Sequence, residues 1–230
     1  MPEARAVTFD FGQTLCDLDT ALLSRRLAER GLAVAEERLA EAVPGAWLAY
    51  DAAIAAGFGG HPWKILMSRL LALAGAEGDA ARAAVDWLWD EQPAHNLWRR
   101  PSPGMIELVR ALRGRGVPVG VVSNSEGRLA ELIAEIGWGE EFLCVADSGK
   151  LGIEKPDPPI FHLAAEALGV AAAAVIPVGD SFGADVRGAL GAGLQAVWFR
   201  GRGAPALPEG VRRAEDAPSL LAALREMGLG

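Results

Sequence analysis

The spacing of hydrophobic positions changes twice along the chain. A short apolar run at 7–9 ends in Asp10 and predicts a first strand. From 20 to 90 the sequence is rich in Ala and Leu at helical spacing, which predicts a wholly helical block with one conspicuous break at 57–62. From Arg99 onward, short apolar runs alternate with helical segments. The helical block is therefore expected between a first strand and a longer alternating region.

The alternating region predicts a parallel sheet. Its expected strands lie at 117–122, 142–145, 174–178 and 195–199, and its expected helices at 101–112, 126–136, 158–168, 183–192 and 218–226. Short apolar strands separated by helices indicate parallel strands joined by right-handed crossovers. The predicted fold class is α/β, a doubly wound, Rossmann-like parallel sheet with an inserted all-helical domain.

The position of the helical block predicts the domain boundaries. Because the first strand precedes the block and the other strands follow it, the block is most simply an insert. We expect residues 1–17 and 97–230 to form the α/β core and residues 18–96 to form a helical cap. Ligands of such sheets bind at the carboxyl ends of the strands, where a cap placed after the first strand would act as a lid.

Composition and charge narrow the classes of partner. The chain has 230 residues, 51% of them hydrophobic, with a formal net charge of -8 and a sequence pI near 5.0. That acidity argues against binding to nucleic acid or to an anionic membrane, so a small anionic substrate would need a locally positive site. Two cysteines are too few for a disulfide framework or a zinc cluster. With no secretion signal or membrane-length apolar run, we expect a cytoplasmic protein; no pattern predicts an oligomeric state.

Two of the predicted strands end in residues suited to nucleophilic chemistry or to phosphate binding. Asp10, followed by Thr14, either caps a turn or projects a nucleophilic carboxylate into a cleft. Ser123 and Asn124 follow a later strand, where a hydroxyl and backbone N–H groups either hold phosphoryl oxygens or cap the next helix. Taken alone, these residues leave both interpretations open.

Two further segments carry a lysine and a pair of carboxylates. The segment 150–158 contains Lys150 and Lys155, each either a solvated surface charge or a cation that offsets negative charge in a cleft. Asp180 and Asp185 follow the strand at 174–178 in the pattern Gly-Asp-x4-Asp. Two carboxylates placed at a strand end and in the next turn suit an octahedral, oxygen-preferring ion such as Mg²⁺, and capping is the alternative.

In this order and spacing, the four segments resemble the motifs of the haloacid dehalogenase-like (HAD) hydrolase superfamily, with a helical cap between the first and second motifs. The resemblance implies that Asp10 is a nucleophile that forms an aspartyl-phosphate. It implies that Thr14, Ser123 and Asn124 bind the substrate, the last through its backbone amide. Lys155, in Lys-Pro-Asp-Pro, rather than Lys150 would offset the charge on the nucleophile and the phosphoryl group.

The resemblance also implies a Mg²⁺ cofactor and a small phosphorylated metabolite as substrate. The ligands of the Mg²⁺ ion would be Asp10, the backbone carbonyl of Gly12, Asp180 and Asp185. Asp185 would act directly, through water, or by holding Lys155. The metal would screen charge between the nucleophile and a substrate oxygen.

Gly12 departs from the family pattern. HAD phosphatases usually read Asp-x-Asp-Gly-Thr-Leu, and the second Asp is the general acid/base, but this chain reads Asp-Phe-Gly-Gln-Thr-Leu. General acid/base catalysis typically contributes a factor of about 10² to 10⁴ in rate. We therefore expect a phosphatase that is slow on ordinary esters, or one whose proton transfer comes from elsewhere. His61, beside the glycine-rich break, is the best candidate for a substitute, and it would contact the substrate.

Three alternatives to the phosphatase remain open. Phosphonate-cleaving relatives have a small residue at the position of Gly12 and use a cap lysine as a Schiff base; Lys64 is the only cap lysine, and the alternative is a surface charge. Haloacid dehalogenases typically carry an aromatic residue there and do not need metal-binding carboxylates, so the presence of Asp180 and Asp185 counts against this alternative. A catalytically impaired module that binds a phosphorylated ligand or a protein is the third. Cap side chains that either line the cleft or pack inside the cap are Tyr50, Phe58, Trp63 and Arg69.

Overall fold

The computed structural model describes residues 6–58, 62–203 and 206–229. Its contacts divide the chain into two compact units, one made of Met1–Asp17 with Arg100–Gly230 and the other of Leu18–Arg99. The first unit is called the core unit and the second the helical unit. The division at 99/100 lies slightly beyond the 96/97 boundary expected from the sequence.

The strands lie mainly in the core unit. They are β1 Ala6–Phe9, β2 Cys16–Leu18, β3 Trp98–Pro101, β4 Val119–Ser123, β5 Cys144–Asp147, β6 Val175–Gly179, β7 Ala196–Phe199 and β8 Val211–Ala214. Six of them form one sheet in the order β5-β4-β1-β6-β7-β8, and all five pairings in it are parallel. The chain runs outward from β1 in both directions, which makes the end of β1 a topological switch point.

The helices alternate with these strands in the core unit. The helices of the chain are α1 Thr20–Glu29, α2 Glu36–Ala55, α3 Trp63–Leu73, α4 Asp79–Glu91, α5 Met105–Gly114, α6 Leu129–Glu135, α7 Ser148–Leu151, α8 Pro158–Ala167, α9 Arg187–Gly191 and α10 Ala217–Glu226. In the core unit, α5 packs on β4, α8 on β4 and β5, and α10 on β7 and β8. This architecture confirms the predicted doubly wound, Rossmann-like α/β core with a helical cap.

Burial explains which strands the sequence reveals. Every residue of β1, β4, β6 and β7 is buried, and strands covered on both faces appear as continuous apolar runs. Three strands were not predicted. β2 has only three residues, β3 ends in exposed positions, and β8 places two exposed arginines between its buried ends.

The prediction of one break in the helical block was incomplete. In the described ranges, α1 and α2 are separated at 30–35, and α3 and α4 at 74–78, both around glycines in the left-handed region. At the predicted break, α2 ends at Ala55 and α3 begins at Trp63. No helix in the described ranges is both long enough and apolar enough to cross a membrane.

The predicted helix at 183–192 has an irregular start. A π-helical turn occupies Phe182–Val186 and leads into α9. Ser181 begins this turn, and its hydroxyl accepts a hydrogen bond from the backbone N–H of Ala184 at 3.2 Å. The wider turn contains Asp185, and π-helical turns of this kind are frequent at functional sites.

Candidate active site

Asp10 lies where β1 leaves the sheet. Its backbone N–H donates to the carbonyl of Val178 in the neighbouring β6 at 2.8 Å, so the strand pairing continues to this residue. Beyond it the chain turns tightly, and the N–H groups of Leu15 and Cys16 both donate to the carbonyl of Phe11. The pairing and the turn together fix the Asp10 carboxylate at the carboxyl end of the central strand, with 11% of its side chain exposed.

Two side chains from other segments donate to the same oxygen of Asp10. Ser123 Oγ donates to Asp10 Oδ1 at 2.8 Å, and Lys155 Nζ donates to it at 2.7 Å. Ser123 is the last residue of β4, which pairs with β1, so the strand order accounts for its approach. The structure thus brings three residues of separate predicted motifs into direct contact.

Lys155 is buried between two carboxylates. Its Nζ also donates to Asp185 Oδ1 at 2.6 Å, and only 3% of the lysine side chain is exposed. Burial opposes the charged form, but the Asp10 and Asp185 carboxylates outweigh it and raise the pKa of Lys155 above its ordinary value. Both neighbouring carboxylates therefore favour the protonated form of this buried lysine.

Asn124 positions the lysine segment. Its side-chain Nδ2 donates to the carbonyl of Lys155 at 2.9 Å, and the backbone N–H of Lys155 donates to Asn124 Oδ1 at 2.8 Å. This pair of bonds joins the end of β4 to the loop before α8. The resemblance to the family implied a role only for the backbone amide of Asn124, so this role of its side chain was not predicted.

Asp180 and Asp185 complete a cluster of three carboxylates with Asp10. One oxygen from each lies within 4.8 Å of the others. Asp185 Oδ2 accepts a hydrogen bond from the N–H of Ser181 at 2.9 Å, which holds the carboxylate back against the end of β6. Gly179 makes room for it, since a Cβ at that position would lie 2.1 Å from Asp185 Cγ.

The carboxylates of Asp180 and Asp185 are buried, and the three carboxylates of this cluster outnumber the cationic side chains that they contact among the described residues. Burial raises the pKa of Asp180 to about 7, although Arg202 opposes the rise. Burial also raises the pKa of Asp185, against the opposing effect of Lys155. The three carboxylates contact two cationic side chains, those of Lys155 and Arg202. Oxygen ligands with an excess of negative charge suit a hard divalent cation such as Mg²⁺.

Gly12 and Thr14 lie in the turn that follows Asp10. Gly12 forms an isolated bridge with Cys16, and Gln13 between them has φ +57°, in the left-handed region. The Thr14 side chain is fully buried, and its hydroxyl has no hydrogen-bond partner among the described residues. The predicted contact of Thr14 with a substrate stays a prediction.

The family follows from a comparison with known proteins. A model of the family described as "haloacid dehalogenase-like hydrolase" matches residues 4–193. The chain belongs to this family. The HAD hydrolase is 28% identical to "Haloacid dehalogenase-like hydrolase domain-containing protein 3" from Bos taurus over 230 residues, which cover 95% of this chain and 91% of that protein.

Two further matches cover different shares of this HAD hydrolase. It is 34% identical to a phosphoserine phosphatase from Thermus thermophilus over 126 residues, which cover 54% of this chain and 49% of that protein. Among solved structures, the HAD-hydrolase YfnB from Bacillus subtilis matches with a TM-score of 0.73 and 18% identity, covering 97% of this chain and 99% of that one. The match to YfnB supports the fold, and the family model confirms the resemblance seen in the motifs.

Two predicted site residues of the HAD hydrolase belong to the helical unit. Lys64 lies in the first turn of α3, and its Nζ forms an ion pair with Asp86 Oδ1 at 2.6 Å. Both side chains are largely exposed, at 49% and 67%. His61 lies outside the described residues. Of the cap side chains named from the sequence, Tyr50 and Trp63 are buried in packing, whereas Phe58 and Arg69 are exposed.

Two further charged residues of the core unit were not predicted from the sequence. Asp147, at the end of β5, is 2% exposed, and its carboxylate accepts hydrogen bonds from Ser125 Oγ and from the N–H groups of Gly127, Leu129 and Gly149. It ties together the loops after β4 and β5. The signal available in the sequence was an acidic residue at the end of an apolar run. The second is Arg202, which donates to Asp180 and follows β7 in a glycine-flanked loop that gives no such signal.

Proposed function

We propose that this HAD hydrolase is a cytoplasmic, Mg²⁺-dependent phosphatase of a small phosphorylated metabolite. In this proposal Asp10 is the nucleophile and the helical unit is the cap that selects the substrate. The observation that carries it is the convergence of Ser123 Oγ and Lys155 Nζ on one oxygen of Asp10. The similarity to a phosphoserine phosphatase supports a phosphate ester as the substrate.

The reaction divides into two displacements on phosphorus. In the first, a carboxylate oxygen of Asp10 bonds to phosphorus, and the ester oxygen leaves with its bonding electrons. In the second, water attacks the aspartyl-phosphate, which releases inorganic phosphate and restores the carboxylate. Lys155 holds Asp10 in place and offsets the negative charge that accumulates as the phosphoryl group approaches. The Ser123 hydroxyl is positioned to donate to a phosphoryl oxygen.

The proposed metal ligands are the carboxylates of Asp10 and Asp180 and the backbone carbonyl of Gly12. Asp185 contributes directly, through water, or by holding Lys155, and its bond to that lysine supports the last role. Bound Mg²⁺ supplies charge neutralisation between the nucleophile and the phosphoryl oxygens. The excess of carboxylates over cationic side chains in the cluster supports this assignment.

Gly12 sets the proposed preference among substrates. With no carboxyl side chain at this position, protonation of the leaving oxygen and activation of water lack their usual group. A leaving group of low pKa, as in an aryl or acyl phosphate, needs little protonation. We therefore expect such substrates to react fastest and alkyl phosphates to react slowly.

The deciding experiment is Asp10→Asn, assayed by phosphate release from an aryl phosphate in the presence of Mg²⁺. The amide cannot form the aspartyl-phosphate, so turnover should fall to background. Asp17→Asn is the matched control, because Asp17 pairs with Arg200 at 3.0 Å and lies outside the carboxylate cluster. Unchanged turnover in Asp10→Asn would overturn the proposal, and no turnover in the unmodified protein across a broad phosphate panel would favour a binding module.

A further inference from the structure

One arginine of the core unit shares a carboxylate with the candidate metal site. Arg202 Nη1 lies 2.7 Å from Asp180 Oδ2, and the two side chains are 16% and 5% exposed. Asp180 also supplies one of the three clustered carboxylate oxygens. A guanidinium and a divalent cation would therefore both act on Asp180.

The loop that carries Arg202 is anchored on both sides of this residue. Arg213 Nη2 donates to the carbonyl of Gly201 at 2.5 Å, and its Nη1 donates to the carbonyl of Gly203 at 3.0 Å. The Arg213 guanidinium lies 5.1 Å from the ring centroid of Trp198. Gly201 is also held against that ring, since a Cβ there would lie 2.2 Å from it. The backbone of Arg202 is thus fixed by Arg213 and Trp198.

The same tryptophan anchors the acidic partner. Trp198 Nε1 donates to the backbone carbonyl of Asp180 at 2.8 Å, and the Trp198 side chain is 2% exposed. The backbone of Asp180 and that of Gly201, next to Arg202, therefore both contact the Trp198 ring. The surrounding packing therefore fixes the geometry of this ion pair, whereas the long side chains of a surface pair remain mobile.

We propose that Arg202 is a built-in cation that opposes metal binding at Asp180 and so sets the metal affinity of the site. The inference rests on the metal site of the proposed function. A guanidinium keeps its charge at every accessible pH, and the buried surroundings of Asp180 weaken screening by salt. A divalent ion bound to Asp180 meets this fixed positive charge in a site where repulsion is strong. The metal therefore binds more weakly than the three carboxylates alone would allow.

The test is titration calorimetry of Mg²⁺ into the full-length protein and its Arg202→Gln variant. The variant should bind Mg²⁺ about tenfold more tightly, a typical size for coupling between two sites. Arg202→Lys keeps the positive charge and should stay near the unmodified protein. Arg200→Gln is the matched control. Arg200 lies two positions before Arg202 and carries the same charge, but it pairs with Asp17, at 3.0 Å, and not with Asp180. Its Mg²⁺ affinity should not change.

Each other outcome overturns the inference in a recognisable way. Weaker Mg²⁺ binding by Arg202→Gln would show that Arg202 positions Asp180 for the metal. Equal tightening in Arg202→Gln and Arg200→Gln would show only a general effect of net charge. Circular dichroism and thermal unfolding without metal confirm that each variant is folded. If no form binds Mg²⁺, the metal site of the proposed function fails together with the inference, whereas binding without a gain in Arg202→Gln overturns the inference alone.

Discussion

The carboxylate cluster of the core unit and the Lys64–Asp86 pair of the helical unit hold their charged side chains in different ways. In the core unit, Lys155, Asp180 and Asp185 are each at most 4% exposed, and each is bonded to an oppositely charged side chain. In the helical unit, Lys64 and Asp86 pair at the surface. Burying a charge is costly and persists only where it is paired, whereas an exposed pair contributes little. A buried charge cluster is therefore strong grounds for assigning function, and an exposed lysine is not.

The largest expected effect is that of Lys155→Met. It leaves the carboxylates of Asp10 and Asp185 without their shared cation, and breaking a buried pair in this way costs about 3–5 kcal/mol. We expect a matching loss in the free energy of unfolding, measured by chemical denaturation, and no turnover. Lys150→Met is the control, because Lys150 pairs with Glu131 at the surface and should be dispensable. Equal stability losses in the two variants would remove the contrast between buried and exposed lysines.

The second largest effect is expected at Gly12, where the usual acid/base group is missing. Gly12→Asp restores the missing carboxyl group and should raise hydrolysis of an alkyl phosphate by a factor of about 10² to 10⁴. Initial rates of phosphate release give the measurement, and the gain on an aryl phosphate should be smaller. Gly12→Asn is the control, since it adds a similar volume without an acid/base group. An equal gain in Gly12→Asn would contradict the proton-transfer explanation, and no gain in either variant would favour a binding protein or a different chemistry.

The same contrast explains how much of the fold was predictable. The central strands were found because they are buried on both faces, so β1, β4, β6 and β7 are apolar runs. β8 was missed because Arg212 and Arg213 occupy its exposed positions. The order of the strands follows from pairings between distant segments, which no local pattern records.

The site was predictable to the extent that its groups follow apolar strands. Asp10, Ser123 and Asp180 stand at strand ends, and parallel strands bring those ends to one edge of the sheet. The bond between the Asn124 side chain and the backbone of Lys155 joins residues 31 positions apart, so local sequence carries no sign of it. Arg202 was not predicted for a related reason. Its partner Asp180 lies 22 positions away in the sequence, and the two meet where Trp198 binds the backbone of Asp180.

A smaller effect is expected from one methyl group in the core unit. In Gly179→Ala the new Cβ would lie 2.1 Å from Cγ of Asp185, so the carboxylate must move. Overpacking of this kind costs about 1–3 kcal/mol, and displacement of Asp185 should also lower turnover. Gly114→Ala, at the end of α5, is the control, because nothing lies within 4 Å of its new Cβ. Thermal unfolding temperature and turnover should both fall in Gly179→Ala and stay unchanged in Gly114→Ala. Normal turnover in Gly179→Ala would show that the position of Asp185 does not matter for the reaction.

The smallest effect is expected in the helical unit, from Lys64→Ala. An exposed ion pair such as Lys64 with Asp86 contributes no more than about 1 kcal/mol, so stability and aryl phosphate turnover should hardly change. The phosphonate-cleaving alternative instead requires Lys64 to form a Schiff base. Borohydride reduction with an aldehyde-bearing phosphonate, followed by peptide mapping, separates the two cases. Lys150, equally exposed and ion-paired, reports non-specific labelling. Labelling of Lys64 well above that of Lys150 would overturn the proposed phosphatase function in favour of phosphonate cleavage. The reason is that an exposed lysine reacts selectively only where a site activates it.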